Sequence, residues 1–341
     1  MRKACIPYLV FAFAFAFAPF VRGQAPVELR EIGTVNVPGV TADGFLVPIK
    51  CDSDSNLYFQ AIHAPGGLPN VPIVTASPQG VPIVVRPSSG SEIVDFAPTG
   101  GGGLVILARG AAGRNLLEFF GRGGKLKSES SLRLWSGITP MQVAVARSEL
   151  VFVSGSSAQQ TIGTATETVP WYGIFDTAGN LVQTVSLPDD IRPPVQPSGL
   201  GDYNYGQALR LSSLQADDNG NFILARLSSD GPISVVSETG ECLNPGFHPT
   251  IPRGALLTSV KTDGEMVVTM SVKKKAGSAD NEISDTFFTL WDYRTGARLG
   301  EFYTSSPQFG AAFACYNAGV FTFLSTGPNG GVQIVRASAS H

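Results

Sequence analysis

Hydrophobic residues in this chain fall into short runs, cut at close intervals by turns of Gly, Asp, Asn and Ser. The stretch 217–241 (DDNGNFILARLSSDGPISVVSETGE) shows the unit most clearly. Asp218-Asn219-Gly220 is a tight-turn signal, residues 222–227 read as an apolar strand, and Ser229-Asp230-Gly231 turns again. Residues 233–236 return, and Thr239-Gly240 ends the unit. A lone meander of this kind cannot bury its faces, so it predicts neighbours of its own type.

The same grammar runs through the chain. Strands are predicted at 45–51, 57–62, 72–76 and 81–86, with turns at 52–56 and Pro78-Gln79-Gly80. A second unit comprises 93–97, 104–108, 116–120 and 125–128, and a third 141–145, 150–154, 171–175 and 181–187. The unit at 217–241, preceded by 208–214, is the fourth, and 256–261, 266–272, 287–291 and 298–303 form a fifth. Residues 311–315, 320–325 and 332–337 supply three strands of a sixth before the chain ends. Residues 27–35 (VELREIGTV) alternate apolar and polar positions without a hairpin partner nearby. The expectation is therefore an all-β, six-bladed β-propeller in which this N-terminal strand completes the last blade, leaving only short, protected edges. A spacing of roughly 45 to 50 residues fits four-stranded blades.

Composition agrees: 43% of the 341 residues are hydrophobic and only 15% charged, while 39 Gly and 24 Pro supply punctuation for many short strands. Arg2 and Lys3, the apolar run 8–18 and the small residues near Val21-Arg22-Gly23 read as an export signal cleaved after Gly23. The expected organisation is signal peptide 1–23 followed by one propeller domain, 24–341, in a secreted or periplasmic protein. Of 24 basic residues, three leave with the leader, so 21 face 27 acidic residues, a net of −6. That balance argues against nucleic acid and anionic membranes as partners, since both need a basic footprint.

The repeats resemble six-bladed propellers of the NHL and TolB-like kind, whose turns carry a D-x-x-G-N-hydrophobic pattern. Residues 217–222 and 176–181 (DTAGNL) fit it well, Asp263-Gly264 and Ser55-Asn56-Leu57 fit loosely, and the Gly100 to Gly103 run departs from it. The resemblance implies architecture only, because such folds host enzymes, scaffolds and binders alike.

In a propeller, second-to-third-strand loops and blade crossings share one face. The long loops 63–71, 156–170, 189–207 and 273–285 all belong to that set, so a site is expected there, near the channel. Within the Pro-rich crossing 189–207, Asp189, Arg192, Asp202, Tyr203 and Tyr205 could grip a partner, and His63 and His248 are candidate ligand-binding residues on the same face. Asp52-Ser53-Asp54-Ser55-Asn56 has D-x-D-x-N spacing but lacks the glycine and distal glutamate of a calcium loop, and a β-turn explains it better. No G-x-S-x-G elbow exists, and no helix follows Gly100 to Gly103 to make a phosphate cradle. No cofactor or metal site is expected. Trp135, Trp171 and Trp291 read as packing residues, with sugar stacking as the alternative. If the ring closes, Cys51 and Cys315 end neighbouring inner strands, and a disulfide between them would staple it, leaving Cys242 as a lone thiol. The function expected is a non-enzymatic binding or scaffolding module for a protein or glycan. The alternative is an NHL-like lyase or hydrolase at the channel mouth.

Overall fold

The computed structural model describes residues 25–41, 45–62, 71–88, 90–160, 166–187, 211, 213–225, 233–264, 266–275, 283–306, 309, 312–327 and 329–339. The predicted leader, residues 1–23, lies outside them. In chain order the strands are β1 (Val27–Thr41), β2 (Phe45–Cys51), β3 (Leu57–Ile62), β4 (Ile73–Ala76), β5 (Pro82–Val85), β6 (Glu92–Thr99), β7 (Gly103–Arg109) and β8 (Asn115–Phe120). They continue as β9 (Leu126–Ser131), β10 (Ile138–Val145), β11 (Val151–Gln160), β12 (Thr166–Phe175), β13 (Leu181–Thr184), β14 (Ser213–Ala216), β15 (Phe222–Ala225) and β16 (Ile233–Val236). The last are β17 (Cys242–Phe247), β18 (Ala255–Asp263), β19 (Met266–Lys274), β20 (Ile283–Asp292), β21 (Arg298–Thr304), β22 (Phe313–Asn317), β23 (Val320–Thr326) and β24 (Gly331–Ala339). No described helix is long and apolar enough to cross a membrane.

The turns show why the D-x-x-G-N pattern builds these meanders. Asp217 Oδ1 accepts from the backbone N–H of Asn219 (2.9 Å) and Asn221 (2.7 Å), while Asn221 Nδ2 donates to Oδ2 (3.0 Å). Asp176 and Asn180 repeat this, with backbone and side-chain bonds of 2.8 Å each. The carboxylate thus satisfies turn donors that the strands cannot, and glycine takes the left-handed position, φ +88° at Gly220 and +77° at Gly179. The sequence reading missed β17, because Asn244-Pro245-Gly246 interrupts its apolar pattern. The ladder tolerates them as register shifts against β16.

Four sheets are separate four-stranded meanders: β2 to β5, β6 to β9, β10 to β13 and β14 to β17. The remaining strands form one eight-stranded sheet ordered β18-β19-β20-β21-β1-β24-β23-β22. This corrects the six-bladed, NHL or TolB-like expectation: the molecule has β-propeller character, but with four separate blades and one larger sheet. The joint is β1. It pairs antiparallel with β24, with Thr34 opposite Val335, but its first residues also pair in parallel with β21, Val27 opposite Phe302 and Glu28 opposite Tyr303. A strand completing an isolated last blade would leave its outer edge unpaired. Here that edge finds backbone partners, which removes an exposed template for aggregation. The end strands β18 and β22 lie side by side, so the large sheet folds back until nearly closed.

The cores sit between neighbouring sheets. Phe152 from β11 and Phe222 from β15 pack with ring centres 5.0 Å apart, joining two four-stranded sheets. Inside the large sheet, Phe288 contacts Phe313, Phe321 and Phe323 at 5.2, 5.1 and 5.6 Å, so its two halves press face to face. Side chains buried this way stabilise by about 1.5–3 kcal/mol each.

Candidate functional site

The first strand of every four-stranded sheet (β2, β6, β10, β14) and both ends of the large sheet (β18, β22) converge on one pocket of about 90 Å³. It is lined by the C-terminal ends of these strands: Lys50, Ala97, Val145, Gln215, Thr262 and Asn317 are examples, one from each. The pocket therefore opens on the face of the short first-to-second-strand turns, opposite the face where long loops suggested a site.

Its rim is acidic. Asp52, Asp217, Asp218 and Asp263 line it together with Arg147. Two of these carboxylates hold turns. Asp52 accepts from the backbone N–H of Asp54 (3.0 Å) and Asn56 (2.9 Å), from Asn56 Nδ2 (2.8 Å) and from Tyr58 Oη (2.8 Å). These oxygens shape a β-turn. Asp217 additionally accepts from Tyr293 Oη at 2.7 Å, tying β14's turn to the large sheet. Burial, then the neighbouring carboxylate, pushes both tyrosines above the usual phenol range. Asp218 pairs with Arg147 at 3.1 Å. Asp263 accepts from the Ala318 N–H at 3.2 Å, and burial, followed by repulsion from Asp218, pushes its carboxyl up.

Below the rim the strands are bound across the channel by polar side chains. Asp95 on β6, only 3% exposed, accepts from Lys50 Nζ at 2.9 Å and from the Val143 N–H at 2.8 Å. Lys50 also donates to the Val143 carbonyl (3.1 Å) and lies 5.7 Å from the centre of the Phe96 ring. Gln142 ties β10 to the Leu211 backbone, donating to its carbonyl and accepting from its N–H, both at 2.7 Å. Ser213 and Gln215 donate to the Val260 carbonyl at 2.8 and 2.9 Å. Lys261, 8% exposed, extends from β18 to the Ile49 carbonyl of β2 at 2.7 Å. None of these residues was singled out from sequence. The available signal was a charge inside an otherwise apolar first strand: PIKC, IVDFA and SVKTD.

Cys51 and Cys315 are joined in the structure, with Cα atoms 6.0 Å apart, connecting β2 to β22 beside the pocket; Cys242 is a half-buried thiol. His63, Asp189, Arg192, Asp202, Tyr203 and Tyr205 lie outside the described residues. His248 is exposed just after β17. Much of the expected loop 156–170 is instead a hairpin, Ser156 to Gln160 pairing with Thr166 to Pro170. Among the described residues no group of three or more His, Cys, Asp and Glu side chains is placed to hold a metal. Trp171 and Trp291 are buried, the latter donating to Thr269 Oγ1 at 2.9 Å, whereas Trp135 is 63% exposed on the crossing between β9 and β10.

No protein-family model matches the chain, and no curated protein matches it. Solved structures resemble it in outline only. The Dos1 propeller is 11% identical, covering 92% of this chain and 94% of its own, with a TM-score of 0.47. A protein of unknown function from Bacteroides caccae is 11% identical over 77% of each chain, with a TM-score of 0.38. A chain of the mitotic checkpoint complex is 8% identical, covering all of this chain and 90% of its own, with a TM-score of 0.40.

Proposed function

We propose that this chain is a non-enzymatic binding or scaffolding module for a protein or glycan, and that the acidic rim of the channel is part of its recognition surface. One observation carries the reading. The polar groups inside the channel are committed to bonds between sheets, Asp95, Gln142, Ser213 and Gln215 foremost, so they act as structural ties. The outward polar surface is left to the rim, where Asp218 and Arg147 are exposed. A rim with four carboxylates and one guanidinium favours a partner presenting basic or hydrogen-bond-donating groups.

The test is binding by purified chain to an array of glycans and basic peptides, with the double variant Asp218→Lys/Arg147→Glu measured alongside. Saturable binding that the rim variant weakens by tenfold or more is expected. Absence of saturable binding on the array, or equal binding by both proteins, refutes the reading.

A further inference from the structure

Cys51 and Cys315 are bonded to each other but sit in unlike surroundings. Cys51 is half-buried and belongs to the pocket lining, together with its chain neighbours Lys50, Asp52 and Ser53. Cys315 is 1% exposed, packs in the apolar core behind it and is not part of that lining. Of the two bonded residues, the one on β2 is therefore the one that a solute in the pocket meets. The seam crossed by the bond has other supports. Leu57, Phe59 and Val74 of the first sheet pack with Ala314, Leu324 and Ile334 of the large one. Asn317 Nδ2 donates across the same seam to the Ser53 carbonyl at 2.9 Å and to Ser55 Oγ at 3.1 Å. Neither set of contacts runs through the sulfurs, so opening the bond leaves both in place.

We propose that Cys51 is a site of reversible S-thiolation by a small aminothiol entering from the channel mouth. In the step, the thiolate bonds to Cys51 Sγ as the bond between the two cysteine sulfurs breaks. The electron pair of that bond stays on Cys315 Sγ, which takes the proton the aminothiol gave up. One thiol is consumed, a mixed disulfide forms on Cys51 and a thiol forms on Cys315, so atoms and electrons balance without a further reductant. The Cys315 thiol, held beside the adduct, reverses the step by attacking Cys51 Sγ and expelling the aminothiol. The ligand class follows from the pocket. At about 90 Å³ it has room for a molecule of a few non-hydrogen atoms. Asp52, Asp217, Asp218 and Asp263 line it, and its two cations already face carboxylates, Lys50 with Asp95 at 2.9 Å and Arg147 with Asp218 at 3.1 Å. Such a field depletes anionic thiols and favours one whose ammonium offsets the charge of its own thiolate.

The experiment blocks Cys242 of the full chain with N-ethylmaleimide and then adds cysteamine or mercaptoacetate at neutral pH. Early samples are quenched in acid, the freed thiol is labelled with iodoacetamide, and both cysteines are read by peptide mass spectrometry. Cysteamine on Cys51 with the label on Cys315 is expected to exceed the reverse arrangement at least ~10-fold, because access to the two sulfurs sets the rates. Equal amounts, a majority adduct on Cys315, or no reaction of the folded chain while the urea-unfolded chain reacts, overturns the site. Dividing each rate by that of the same thiol on the urea-unfolded chain removes intrinsic reactivity. The resulting ratio should be ~10-fold or more higher for cysteamine than for mercaptoacetate, and Asp218→Asn/Asp263→Asn should close most of that gap. Equal or reversed ratios, or a gap the variant leaves unchanged, overturn the aminothiol assignment.

Discussion

Asp95 is where a single substitution tests the reading of the channel as a set of structural ties. Asp95→Ala removes a carboxylate that is 3% exposed and leaves two donors facing its place, Lys50 Nζ and the Val143 N–H, at 2.9 and 2.8 Å in the wild type. The Lys50 side chain is 12% exposed, so water reaches it poorly. Breaking a buried pair by removing one member costs about 3–5 kcal/mol, because the remaining charge stays desolvated. The orphaned backbone N–H belongs to the same loss and is not added separately. With unfolding entropy near 2.1 cal/mol/K per residue, about 4 kcal/mol lowers Tm by roughly 6 °C for a chain of this size. The control is Asp54→Ala, whose partner Arg122 lies at 3.1 Å but with both side chains more than half exposed. That pair is worth about 0–1 kcal/mol. Calorimetry on both variants and on Lys50→Met/Asp95→Leu reads the comparison, the double variant being expected to regain most of the loss. Equal Tm shifts for Asp95→Ala and Asp54→Ala would refute the reasoning, as would a double variant no more stable than Asp95→Ala alone.

Four further outcomes are expected. Digestion without reductant should yield a linked peptide pair containing Cys51 and Cys315, and Cys51→Ser should lower stability by about 5.5 kcal/mol, the chain-entropy value for a closed loop of this length. Gly179→Ala should destabilise by about 2 kcal/mol or more in urea unfolding, since its φ is +77° and an added Cβ would meet the Ser131 carbonyl oxygen at 2.3 Å. The phenols of Tyr58, Tyr293 and Tyr316 are all raised by burial, so their stabilisation is present below the unfolded value near 10 and is lost as pH rises beyond it. Ultraviolet titration should therefore show phenols that ionise above the ordinary value near 10, together with unfolding. Lys261 works in the other direction: with its amine lowered to about 7, the unfolded chain binds more protons between about 7 and 10.4, and stability rises with pH across that window. Lys261→Met should flatten that rise in pH-dependent melts.

Much of the strand plan is local chemistry and was legible. Residues 45–51 and 233–236 were bounded correctly because an apolar run ends at Asp52 or Ser237, whose side chains begin a turn. Strand β17 was hidden because Pro245 and Gly246 break its periodicity, and it survives through pairing with β16. The site was barely legible. Sequence reasoning followed loop length to one face, whereas the pocket is built from the ends of first strands on the other.

The sequence by itself determined an all-β chain of short meanders, the Asp-Gly-Asn chemistry of their turns, and an N-terminal strand in need of a partner. Each follows from interactions within about ten residues, which local composition encodes. Tertiary structure alone decided that β1 would pair on both edges and fuse seven other strands into one sheet. It also decided that Lys50 would meet Asp95 across 45 positions and Lys261 the Ile49 carbonyl across 212. A lysine in a strand reads as solvent-facing until the strands around it are placed, because burial and partner distance are properties of the assembled sheets rather than of the residue.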